Sequence, residues 1–94
     1  MSTFFMFGKY TTESIQKISA ERTQQAVNEI KKMGGHVNGM HVLLGEYDLL
    51  FCVSLASLED AVKASVALAR LTGISFTTCP AIEVEAFDRL VGGK

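Results

Sequence analysis

Residues 37–55, VNGMHVLLGEYDLLFCVSL, decide the fold. Residues 37–44 and 47–55 read as two strands, and Gly45-Glu46 joins them. A link that short cannot carry the crossover a parallel pair needs, so the strands form an antiparallel hairpin. The later strand offers Tyr47, Leu49, Phe51 and Val53 on one side and Asp48, Leu50, Cys52 and Ser54 on the other. The earlier strand has Met40, Val42 and Leu44 on one side and Val37 and Leu43 on the other.

Upstream, residues 3–10 read as a strand that is apolar or aromatic on both faces. Thr11-Thr12-Glu13 opens a short helical turn, and Ser19 is a fresh N-cap with Glu21 in the first turn. Thr23, Ala26, Val27, Ile30 and Met33 then keep the three-four spacing of one helix face until Gly34-Gly35 stops it. Downstream, Ser57 caps a second helix, with Asp60 in the capping-box position. Its stripe runs from Leu58 through Ala61, Ser65 and Leu68 to Thr72, and Gly73 ends it. Residues 74–82 form a fourth strand, which Pro80 assigns to a sheet edge. Residues 83–91 form a last helix with Val84, Phe87, Leu90 and Val91 on one side.

The order is strand-helix-strand-strand-helix-strand with a C-terminal appendage. Two right-handed crossovers flanking a hairpin give an α+β ferredoxin-like plait. Its four antiparallel strands lie in the order 4-1-3-2 under two helices packed on one face. Residues 1–94 make a single domain.

A plait that stands alone turns one sheet face to water, and its strands alternate apolar and polar. Here the two central strands are apolar on both faces. At roughly 25 cal/mol per Å² of buried apolar surface, a wet sheet-sized patch represents many kcal/mol. Hydrophobic residues are 48% of the chain, high for a domain that is mostly surface. The expected partner is a second copy of the chain, packed on the open sheet face as a homodimer or higher oligomer. The alternative is a monomer whose C-terminal segment folds back over the sheet.

Net charge is −1 and the basic residues are scattered, so neither nucleic acid nor an anionic membrane is an expected partner. The two cysteines, Cys52 and Cys79, are too few for a disulfide framework and match no metal spacing. No signal segment or membrane-spanning run is evident, so a cytoplasmic location is expected. No cofactor and no metal are expected.

The residue types that carry chemistry are few. Asp48 either braces the hairpin through backbone hydrogen bonds or serves as a pocket acid. Tyr47 is a core aromatic or presents its hydroxyl to a ligand. His36 and His41, an odd number apart, fall on opposite faces of a regular strand. His41 is the first candidate for a general base and Asp48 the second. Arg22, a cation near a helix start, is solvated or faces a ligand acid. The candidate ligand-binding set is Tyr10, Arg22, His41, Tyr47 and Asp48.

Gly45-Glu46-Tyr47-Asp48 has wider company. With Phe7-Gly8-Lys9-Tyr10-Thr11, Ser19 to Arg22, Thr78, Ala81-Ile82 and Glu83 to Phe87, it resembles the GYD domain family over nearly the whole chain. The resemblance implies a plait of the dimeric α/β-barrel type, with two sheets face to face, and no defined biochemical role. Ser75 stands where many members carry Arg, so any anion-binding role of that Arg has no counterpart here. The hairpin more distantly resembles the effector-binding domains of leucine-responsive-type regulators. Those domains bind metabolites at subunit interfaces and are fused to a helix-turn-helix; no such segment is expected ahead of Met1.

Three functions compete. The leading one is a non-enzymatic oligomer that binds a small, mostly apolar metabolite. The others are a cofactor-independent enzyme, monooxygenase- or isomerase-like, and a purely structural partner domain.

Overall fold

The computed structural model describes residues 1–93. Four antiparallel strands form one sheet in the order β2-β3-β1-β4, with β1 Ser2–Lys9, β2 His36–Val42, β3 Leu49–Leu55 and β4 Ser75–Ala81. The helices are α1 Thr12–Gln16, α2 Ala20–Lys32, α3 Leu58–Thr72 and α4 Val84–Gly92. Pro80 lies on β4, an edge, where its missing N–H is tolerated.

Side-chain hydroxyls start three of the helices. Thr11 and Ser14 make a full capping box on α1, while Ser19 accepts from the Arg22 N–H and Ser57 from the Asp60 N–H. Alternation along β1 and β3 then aims Phe4, Met6, Leu49, Phe51, Val53 and Leu55 at the helices. Against them pack Ala26 and Ile30 of α2 and Ala61, Ala64 and Leu68 of α3, and this layer is the core.

The expected barrel is not present: the sheet does not close, and β2 and β4 remain free edges. Four strands fall well short of the roughly eight whose closure encloses a side-chain-filled interior. The fold is an open plait.

Two further expectations are corrected at β2. Val37 pairs with Val53, yet Gly39 pairs with Cys52, so Asn38 is an extra residue that shifts the register. The shift puts Val37 on the helix side with Met40 and Val42. It also brings His36 and His41 to the same face, opposite Ser54 and Leu50. Those positions are still about 13–14 Å apart along the strand, and no group of three potential metal ligands occurs among the described residues. The hairpin link is longer than Gly45-Glu46. β2 ends at Val42, and Leu43 to Asp48 form the connection, with Leu44 fully exposed and Gly45 at φ +144°. Glycine alone holds that conformation without strain.

The open face carries Phe5, Phe7, Leu50 and Cys52 on the two central strands, each half-buried. Cys52 and Cys79 flank Phe5 as free thiols, two strand spacings apart. The C-terminal helix does not cover this face. None of its residues is buried, Phe87 and Leu90 are 53% and 77% exposed, and only its start at Val84 comes near Phe5 and Cys52. The radius of gyration, 14.3 Å, therefore exceeds the roughly 12–13 Å of a compact domain this long. The accessible surface, 6242 Å², exceeds the roughly 5,300 Å² of a compact monomer this size.

Candidate functional site

The α2 stripe grows in size along the helix, from Thr23 and Ala26 to Ile30 and Met33. Ile30 fills the space over the sheet at one end, while the small residues near the start leave it open. The result is a cavity of about 200 Å³ between the first half of α2 and the sheet. Its floor is Leu49, Phe51 and Ile74, and Ile18 and Val42 stand at its rim, 56% and 77% exposed.

Arg22 and Tyr10 also belong to that lining, Tyr10 packing against the core. Arg22 projects from the first turn of α2, half-buried. Its Nη1 donates to the Ser14 carbonyl at 2.7 Å and toward the Thr72 carbonyl at 3.5 Å. Those carbonyls lie at the ends of α1 and α3, where a cation complements the helix dipole. The residue that looks misplaced at the start of its own helix thus serves two other helix ends. The Thr23 and Thr72 hydroxyls also line the cavity but are committed, to the Ser19 and Leu68 carbonyls respectively.

The other candidates gather elsewhere. Asp48 lies just before β3, and its Oδ2 accepts from the Tyr10 N–H at 2.9 Å. Its own N–H donates to the Gly8 carbonyl, and its carbonyl accepts from the Leu43 N–H, both at 2.8 Å. Tyr47, expected on the same strand face as Leu49, Phe51 and Val53, instead packs on Phe7 over the open face, ring centroids 5.0 Å apart and tilted by 41°. The early end of β3 frees it from the strand's alternation. Lys9 Nζ is 6.0 Å from the centre of the same ring. His41 borders the cavity at the β2 edge, but its ring turns to the open face, Nε2 3.4 Å from where a Cβ on Gly39 would lie. Tyr10 and Arg22 therefore share the cavity with the edge of His41, while Tyr47 and Asp48 belong to the hairpin end.

Sequence reading did not find the cavity floor or the Ser14 and Thr72 carbonyls that hold Arg22. The available signal was the small-to-large gradient along α2. No helix among the described residues is long and apolar enough to cross a membrane.

Several solved structures are similar in fold, two of them as follows. The leucine response regulatory protein of Mycobacterium tuberculosis matches with a TM-score of 0.59 and 10% identity, over 87% of this chain and 51% of that one. This chain thus spans about half the length of that regulator. A hypothetical protein from Pyrococcus horikoshii matches with a TM-score of 0.54 and 22% identity, over 88% and 92% of the two chains. At such identities the likeness concerns the fold alone. No curated protein matches the chain. The GYD domain model matches residues 4–91, and the chain belongs to the GYD domain family.

Proposed function

We propose that the domain works as a cytoplasmic homodimer that binds a small, mostly apolar metabolite between α2 and the sheet. The observation that carries binding is the cavity of about 200 Å³, with an apolar floor and Arg22 and Tyr10 at its polar side. Apolar walls with a few placed polar groups are the usual make-up of a ligand site.

The uncovered face of β1 and β3 supports the dimer. A second sheet packed on Phe5, Phe7 and Leu50 removes apolar surface from water, whereas pairing through the β2 or β4 edge leaves it wet. Two unpaired thiols suit a reducing compartment.

Native mass spectrometry of the purified chain tests both parts. The expected spectrum is a dimer that carries or takes up a small organic molecule. A chain that stays monomeric at micromolar concentration removes the dimer. A chain that retains and takes up no apolar small molecule removes the binding.

A further inference from the structure

We infer that the cavity's ligand is a small organic acid, its carboxylate held by Arg22 and its apolar body lying on Leu49, Phe51 and Ile74. The inference rests on the proposed binding role of that cavity and goes further by naming the ligand class.

Three observations carry it. The first is that Arg22 has no counter-ion. The ion pairs among the described residues are Lys17–Glu13 and Lys32–Glu29, and Arg22 is in neither. Its hydrogen bonds run from Nη1 to two neutral carbonyls, and Nε and Nη2 have no protein acceptor among the described residues. A half-buried guanidinium with one arm fixed presents its remaining donors in a set direction, which suits the two oxygens of a carboxylate.

The second is the sign of the lining. No Asp or Glu lines the cavity. With the two threonine hydroxyls committed, Arg22 and Tyr10 are the polar side chains left to meet a ligand. The first turn of α2 adds positive potential from its own N–H groups. A carboxylate would supply the counter-charge that the two neutral carbonyls do not.

The third is size and charge count. The volume is below the roughly 300–1,000 Å³ of drug-sized sites, so the ligand is short. Arg22 also borders a neighbouring depression with Glu13, Lys17 and Arg70, but on the apolar cavity it is the one lysine or arginine among the described residues. One cation on the apolar cavity matches a monoanion better than a phosphate ester.

Hexanoate and 1-hexanol, titrated separately into the ¹⁵N-labelled full chain at pH 7 and followed by amide shifts, test the inference. Hexanoate is expected to shift signals around Arg22, Thr23 and Ile74 and to bind at least tenfold more tightly than the alcohol. Equal affinities would overturn the acid assignment and leave the binding proposal standing. Binding of neither, across a series from butanoate to octanoate with the matched alcohols, would remove both. In the Arg22→Met chain the acid's preference is expected to vanish while the alcohol's affinity stays within about twofold. A preference that survives the substitution overturns the role of Arg22. Should that variant fail to fold for want of its contacts to Ser14 and Thr72, the acid-to-alcohol ratio of the unaltered chain still decides.

Discussion

The backbone N–H of Tyr10 donates to Asp48 Oδ2 at 2.9 Å, across 38 positions of sequence. The bond ties the exit of β1 to the entry of β3. With the Asp48 N–H on the Gly8 carbonyl, it holds the hairpin end against the strand that leads to the cavity. The carboxylate is a brace here, and Tyr10, whose N–H it fixes, lines the cavity.

Replacing Asp48 by Ala leaves the partly buried Tyr10 N–H without its acceptor. The expected loss of stability is about 1–3 kcal/mol, the usual cost of removing a charged hydrogen-bond partner. Asp48→Asn keeps an acceptor and is expected to lose less. Urea unfolding midpoints measure both, and an unchanged midpoint for Asp48→Ala would deny the brace.

Gly34 and Gly35 are neighbours with opposite demands. A Cβ on Gly35 would lie 2.6 Å from Leu55 Cδ2 and 2.8 Å from the Ser54 carbonyl oxygen, so the turn after α2 must move away from β3. Gly35→Ala is expected to cost about 1–3 kcal/mol through overpacking. Gly34, at φ +79°, has open space around it, and Gly34→Ala meets only the left-handed backbone penalty of about 1–2 kcal/mol. Thermal denaturation of the two variants should rank Gly35→Ala as the less stable.

Thr23 stands at the cavity and is exposed. Thr23→Leu adds apolar volume there and improves helix propensity by a few tenths of a kcal/mol. Stability is expected to hold within about 1 kcal/mol, while hexanoate affinity falls more than tenfold. Differential scanning calorimetry and an NMR titration separate the two effects; unaltered affinity would place binding elsewhere.

Phe7 meets Tyr47 on the open sheet face. A charge there opposes any packing of a second sheet, so Phe7→Glu is expected to sediment as a monomer at concentrations where the parent chain is a dimer. Its far-ultraviolet circular dichroism should stay native, because Phe7 is outside the core beneath the helices. A variant that remains a dimer would show that copies meet through another surface.

The site was only partly legible in the sequence. Arg22 and Tyr10 stood among the candidates, but nothing local tied them together. Arg22 reaches the Thr72 carbonyl across 50 positions, and such a pairing leaves no periodic trace. His36 and His41 were misassigned because a period of two carries no sign of the extra residue at Asn38. Alternation groups Tyr47 with Leu49, Phe51 and Val53 only if the strand starts at residue 47, and β3 starts at Leu49, after Asp48 has turned to Gly8. The barrel came from resemblance to a family, and the open edges of β2 and β4 correct it.

By itself the sequence determined the order of elements and the apolar character of both faces of the central strands. Helix caps at Thr11, Ser19 and Ser57, and the spacing of apolar residues, act over three or four positions, and that range is written in the chain. Only the tertiary structure decided the bulge, the cavity under the small end of α2 and the seat of Arg22 between two helix ends. Each of these depends on how far one packed layer stands from another, and that distance is set jointly by residues remote in sequence.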